Sequence, residues 1–307
     1  MLFEYAVEPR AISSSWQTFR YVIEKFGFDR GRLISEFPGK WFRLVYEATE
    51  ALPDAEKKKV VEALNLAKRN KTVKSGRLYD PSVGDWLQNA LAQNALVPFH
   101  AIIALENPGA NNQVLQVAEL DEQQPLMMAS QDWLVSRDPL ALADAMKLLL
   151  RTANFIGIVD PFYDPFNTRY QSTLRECLRI VHAANPRAVC EVHYRDRDGA
   201  PEMDAIEREA RVKFGTVIPE GLTITLYRWR EKPGGEDFHA RYLLTDRGGI
   251  RIDAGFSAEG AHQTTDISLM SYELSQARRN ALSRTGITYE LVEPVLRIAR
   301  SGDVEYL

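Results

Sequence analysis

Apolar positions along the first third of the chain recur mostly at helical spacing. Trp16, Phe19, Ile23 and Phe26 fall on one helical face, with Ser14 or Ser15 as a cap before them and Gly27 as a stop. Residues 1–12 alternate weakly and predict an edge strand. Residues 40–70 predict two helices separated by Leu52-Pro53-Asp54, the second turning Val60, Ala63, Leu64 and Ala67 inward. A helix over 82–93 follows, then FHAIIALE and QVLQVAEL as the two strands of a hairpin around 107–112. These elements predict a mainly helical α+β domain over residues 1–135. Residues 121–137 break both periodicities and mark the boundary.

From 136 to 307 the pattern changes. Asp138-Pro139 supplies an N-cap and a first helical residue for a helix to about Arg151. The strand NFIGIVDP, a helix over 167–182, the strand AVCEVHYR, a helix over 201–214 and the strand LTITLYRWR then alternate. After them come a hairpin over 238–257, the strand ISLMS, and helices near 274–282 and 291–299. Strands alternating with helices, then strands joined directly, predict an α/β fold with a mixed sheet flanked by helices.

Composition narrows the class. The 307 residues are 45% hydrophobic, enough for a sizeable core, and carry a formal net charge of −4, so a polyanion site must come from local clustering. Cys177 and Cys190 stand alone, without metal-ligand or disulfide spacing. The acidic N-terminal stretch and the lack of about 18 consecutive apolar residues predict neither signal peptide nor membrane span, and a cytoplasmic location. Lys68, Arg69, Lys71, Lys74 and Arg77 form a basic run that fits cations at a helix C-terminus better than a phosphate track. His100, in an apolar strand, reads as structural.

Chemistry concentrates near residues 238–257. Gly248 and Gly249 suit a tight turn, and strand alternation would place His239 and Arg241 on one face, with Asp246 at the turn. An imidazole can act as nucleophile or proton carrier near neutral pH, and a guanidinium can hold phosphate through paired hydrogen bonds. The carboxyl ends of the preceding strands, where α/β sheets bind ligands, carry Asp160, then His193, Arg195 and Asp196, then Arg228 and Arg230. Converging there, these groups would make a cationic pocket fit for a phosphoryl transition state. Ser257 could donate to a phosphate oxygen or cap a loop. No P-loop, G-x-G-x-x-G, H-E-x-x-H or G-x-S-x-G pattern occurs.

His239, Arg241 and Asp246 stand as H-x-R-x(4)-D, which resembles the H-x-K-x(4)-D signature of the phospholipase D superfamily, with arginine for lysine. Gly255 and Ser257 resemble its following Gly-Ser pair, and Asp266 its next acidic residue. The resemblance covers only the C-terminal half. It implies phosphodiester cleavage without metal or other cofactor: His239 attacks phosphorus, and His193 or a second subunit's His239 protonates the leaving oxygen. Arg241, Arg228, Arg230, Arg195 and Ser257 would hold phosphate, with Asp246, Asp266 and Asp160 in support. The expectation is a nuclease, of a kind that would suit bacterial defence, acting as a homodimer whose N-terminal domain contacts substrate or a protein partner. The alternative is an inactive module of the same fold that binds nucleic acid or protein.

Overall fold

Tyr5, Ala6 and Val7 form a short apolar run buried on both sides, the signature of a central parallel strand rather than an edge. In the computed structural model, which describes residues 2–307, that run belongs to β1 (Phe3–Val7). After it come α1 (Pro9–Ile12), α2 (Trp16–Lys25), β2 (Arg32–Glu36), α3 (Trp41–Ala48), α4 (Asp54–Asn70) and β3 (Thr72–Lys74). Then follow α5 (Trp86–Leu96), β4 (Ala101–Ala104) and β5 (Val114–Gln116). The strands join in the order β3-β2-β1-β4-β5, every pair parallel. Two expectations change here. β1 lies in the middle of the sheet, and β4 and β5 pair parallel instead of forming a hairpin. The loop around 107–112 is braced by Asn107, whose side chain bonds the Asn111 amide and the carbonyls of Asn111 and Val114, and the chain re-enters the sheet at the end where β4 begins.

The helices of this unit bury the faces that their spacing marks out. Phe19, Val22 and Ile23 of α2 and Val60, Leu64 and Ala67 of α4 pack with Tyr5, Ile34 and Trp41. The Ser15 hydroxyl accepts from the Thr18 amide and caps α2. The basic run is largely structural. Lys71 donates to the Phe26 carbonyl at 2.6 Å, and Arg77, with its side chain 4% exposed, pairs with Glu4 at 2.7 Å and stacks on Phe99 at 3.8 Å. His100 stacks on Phe3.

The chain divides into two compact units, the first running to Gln131 and the second covering Asp132–Leu307. Residues 132–137, placed by their irregular pattern in the boundary, form β6 (Asp132–Arg137) of the second unit. After it come α6 (Pro139–Thr152), β7 (Phe155–Val159), α7 (Thr168–Ala184), β8 (Val189–Arg195), α8 (Met203–Phe214) and β9 (Thr223–Arg230). The chain continues with β10 (Tyr242–Thr245), β11 (Gly249–Ile252), β12 (Gly260–Leu269), α9 (Tyr272–Ala281), β13 (Glu290–Ala299) and β14 (Val304–Tyr306).

The sheet order is β14-β13-β9-β8-β7-β10-β11-β12-β6. Its centre, β7, β8 and β9, is parallel, and the strands outside it pair antiparallel. This is the α/β fold with a mixed sheet that the alternation of elements predicts. Asp138 caps α6, accepting from the amides of Leu140 and Ala141, with Pro139 in the first turn.

Two expectations fail in this unit. Residues 291–299 are strand β13, not a helix. Pro294 cannot donate the bond a helix interior needs, and the ladder to β9 is instead interrupted between Val292 and Leu296, where a proline is tolerated. The hairpin over 238–257 is shorter than expected, because pairing starts at Tyr242. Neither Gly248 nor Gly249 takes a positive φ, so the turn does not depend on left-handed backbone. The Thr245 hydroxyl accepts from the amides of Arg247 and Gly248 instead. Gly249 is needed for closeness: a Cβ there would stand 2.9 Å from Ser275 Cβ of α9 and 3.2 Å from Met270 Sδ.

Candidate functional site

The three parallel strands β7, β8 and β9 end side by side, and the residues just past those ends build the site. Asp160, directly after β7, is 1% exposed. Its two carboxylate oxygens accept from the amides of Phe162 (3.0 Å) and Phe256 (2.9 Å). Burial pushes its carboxyl above the ordinary range, opposed by those two amides and by the nearby charges of Arg241 and Arg137. Gly255 lies against it with φ +76°, and a Cβ there would meet Asp160 Oδ2 at 2.3 Å and Arg241 Cδ at 3.3 Å. Asp160 thereby ties the end of β7 to the segment after β11.

Phe162 projects beyond this anchor and is 38% exposed. The guanidinium groups of Arg241 and Arg195 stand 5.1 and 5.4 Å from its ring centroid. Arg241 donates to the Asp253 carbonyl at 2.8 Å, and Arg195 pairs with Glu231 at 3.2 Å. Arg197 reaches the Phe162 carbonyl at 3.4 Å, and its Nε is buried without a partner. Among the described residues, neither Arg197 nor Arg241 forms an ion pair. Beside them, Arg137 donates to the Ser257 carbonyl at 2.8 Å, and Arg137 and Arg169 both face Glu259, at 3.6 and 2.6 Å. The result is an aromatic ring set among guanidinium groups, with donor capacity left over.

His239 lies outside β10, in the exposed connection from β9, and makes no hydrogen bond among the described residues. His239 precedes the paired part of the hairpin, and of residues 238–241 it is Arg241 that bonds the neighbouring strand, its carbonyl accepting from the Ile252 amide at 3.0 Å. The neighbourhood of His239 is electrostatically defined by Glu231, which the Phe238 amide holds below the usual carboxylate range, aided by Arg195 and by His239. Asp246 anchors the hairpin tip to the start of β7: its Oδ1 accepts from the amides of Asn154 (2.9 Å) and Phe155 (3.2 Å).

Among the other expected site residues, several have their polar groups already engaged. His193 is 2% exposed and has both ring nitrogens engaged: Nδ1 accepts from the Trp229 indole at 3.1 Å, and Nε2 meets Glu191 Oε2 at 3.1 Å. The indole donates only, so the ring proton resides on Nε2 and points at Glu191. His193 lines a cavity of about 220 Å³ with Arg279 and Arg284, while His239 lines a different one of about 160 Å³ with Arg278 and Tyr289.

Arg228 and Arg230 converge on Asp196, at 2.5 and 2.7 Å, rather than standing free for phosphate. Burial acts to raise the Asp196 carboxyl, but hydrogen bonds from Arg230 and Arg228 more than offset it and leave it below the ordinary range. Ser257 donates to Glu259 at 3.0 Å, so its hydroxyl proton is already committed. The Asp266 side chain is exposed on β12 and forms no ion pair among the described residues.

Sequence reasoning missed Phe162, Arg137, Arg169 and Glu231 as parts of this cluster. The position of Phe162, two residues past Asp160 at a strand end, was the available signal. Arg137 and Arg169 had none, because only the packing of β6 and α7 brings them to the segment after β11.

No protein-family model matches the chain, and no curated protein matches it. Among solved structures, the chain is similar to one described as the structure of TrmBL2, an archaeal chromatin protein with a novel mode of DNA binding. The identity is 11%, half of each chain is covered, and the TM-score is 0.28, a likeness too slight to carry an argument. No described helix is long and apolar enough to cross a membrane.

Proposed function

We propose that the second unit is a binding module for nucleic acid, built on a phospholipase D-like plan and reading the phosphate backbone with arginines while a base stacks at Phe162. The observation that carries this reading is the exposed Phe162 ring between Arg195 and Arg241, with Arg197 beside it. Guanidinium groups hold phosphate through paired hydrogen bonds, and an aromatic face accepts any base, which is how single strands are bound without sequence preference. His193 fits catalysis less well, since both its ring nitrogens are engaged, by Trp229 and Glu191.

The test is fluorescence anisotropy with labelled single- and double-stranded DNA and RNA across a salt series. Binding should weaken steeply with salt. Phe162→Ala should lower single-strand affinity by about 1–3 kcal/mol, the range of base–aromatic stacking. Arg241→Glu and Arg195→Glu should weaken it and flatten the salt slope. Salt-independent binding, or affinity untouched by all three changes, removes nucleic acid from the proposal.

One observation favours the phosphodiesterase reading: His239 is exposed and unbonded, so two copies related by a two-fold axis can present a pair of such histidines to one phosphorus. Cleavage that resists chelator, disappears in His239→Ala and drops strongly in mixed dimers supports that assembly. Cleavage that survives His239→Ala excludes it.

A further inference from the structure

The parallel sheet of the first unit reverses its winding at β1. The chain lays β2 and β3 on one side of that strand and then returns to lay β4 and β5 on the other. At such a reversal the connections leaving the two neighbouring strands part to opposite faces, and a crevice opens at their carboxyl ends. A cavity of about 600 Å³ lies there, with Glu8 directly after β1 and Leu105-Glu106 directly after β4. That size suits a small organic molecule.

The lining tells which kind. Trp86, at the first turn of α5, and Leu44 of α3 give it an aromatic and an apolar wall. The Trp86 indole donates to the Phe37 carbonyl at 3.0 Å, so the ring is held in place. Glu8, Glu47, Asp85 and Glu106 add carboxylates, Glu47 already paired with Arg43 at 2.7 Å, against Arg10 as the cation of the lining. Glu8 accepts from the Leu105 amide at 2.9 Å, and one oxygen of Asp85 caps α5 through the Gln88 amide. Burial raises the Glu8 carboxyl, opposed by the Leu105 amide and the Arg10 charge and helped by the charges of Asp85 and Glu106, so these acids and Arg10 share one space.

A nucleotide phosphate does not fit this lining. The turn after β1 carries Glu8-Pro9 where a glycine-rich turn would bring backbone amides to a phosphate, and α1 is only four residues long. The carboxylates would repel the anion besides.

We propose that this cavity binds an organic cation, an amine or quaternary ammonium joined to a ring or alkyl body. The body lies on Trp86 and Leu44, and the charge sits among Glu8, Asp85 and Glu106. An ammonium gains from both the carboxylates and the face of an indole.

Three probes of one shape test it on the full chain: 3-phenylpropylamine, 3-phenylpropanol and 3-phenylpropionate, by calorimetry and by the Trp86 indole N–H resonance. The amine should bind about tenfold or more tighter than the alcohol and shift the Trp86 resonance, and the propionate should not bind, as expected for a desolvated charge on an aromatic and acidic site. Glu106 is exposed and makes no hydrogen bond or ion pair among the described residues, so Glu106→Gln should fold normally. It should weaken the amine severalfold and leave the alcohol unchanged. The proposal is overturned by an amine that does not bind or binds no better than the alcohol, by a propionate that binds, by binding that leaves Trp86 unmoved, or by an unaffected Glu106→Gln.

Discussion

Asp196→Ala removes the carboxylate that Arg228 and Arg230 share, and the loss should appear in stability. Arg228 Nε and Nη2 lie 2.6 and 2.5 Å from Asp196 Oδ1, and Arg230 Nη2 lies 2.7 Å from Oδ2. The Arg228 side chain is 10% exposed, and the carboxylate left to it is Glu202, at 3.6 Å and largely in solvent. Stranding one partner of a fully buried pair costs about 3–5 kcal/mol. Arg230 is half in solvent, so its bond contributes little.

The residual exposure of Arg228 and the fallback to Glu202 bring the expected loss to about 2–3 kcal/mol. For a unit of this size that lowers Tm by roughly 4–12 °C. The assay is thermal and urea unfolding of the full chain, with hydrogen exchange of the β8 and β9 amides to assign the loss to this sheet. Arg228→Met added to Asp196→Ala should recover much of it, because no buried cation then remains.

The pH dependence has a fixed sign. The folded-state pKa of Asp196 lies below its unfolded value, so the stabilisation is complete above the ordinary aspartate pKa of about 4 and disappears as pH falls through the folded value. The gap between wild type and Asp196→Ala should therefore close on acidification. A loss below about 0.5 kcal/mol, the usual scatter of surface changes, would refute the reasoning. So would a gap that persists unchanged into strong acid. Intact stability combined with lost nucleic-acid affinity would return Arg228 and Arg230 to phosphate contact.

Two further outcomes are expected. Gly255→Ala should cost roughly 1–2 kcal/mol for the left-handed backbone alone and more for displacing Asp160 from the Phe256 amide, and it should weaken nucleic-acid binding; unfolding curves and anisotropy superimposable on wild type would contradict the strand-end anchor. Cys177 and Cys190 are buried free thiols, the latter pushed up to about 12, so a thiol reagent should modify them on the order of a thousandfold more slowly in the native protein than in urea; rapid native labelling would show that the α7 and β8 packing opens readily.

Much of the second unit was legible because its elements are locally consistent. The Asp138-Pro139 start of α6, the apolar runs of β7, β8 and β9, and the helices between them all carry short-range signals. Expectation failed where two structures share a local pattern. Residues 290–299 carry apolar positions compatible with helix or strand, and the choice is made by pairing with β9 and β14. FHAIIALE and QVLQVAEL are strands in either reading, but a parallel or antiparallel partnership is not written in them, since it depends on where the intervening loop returns. β1 reads locally as an edge because burial of both its faces comes from strands and helices distant in sequence.

The sequence by itself determined the mixed α/β character, the order of elements from α6 to α9, and the strand ends as the place to look for chemistry. These follow from side-chain periodicity, capping and the rule that parallel strands gather their carboxyl ends. Only the tertiary structure decided which charges there are available. Hydrogen-bond partners are chosen in three dimensions: Asp196 claims Arg228 and Arg230, Trp229 and Glu191 claim His193, and Glu259 claims Ser257. Arg241 and Arg197 are left beside an open Phe162. A residue type states what a side chain can do, but its neighbours, brought together from 36 residues away in the Trp229–His193 pair and 96 in the Phe256–Asp160 pair, decide what it is left free to do.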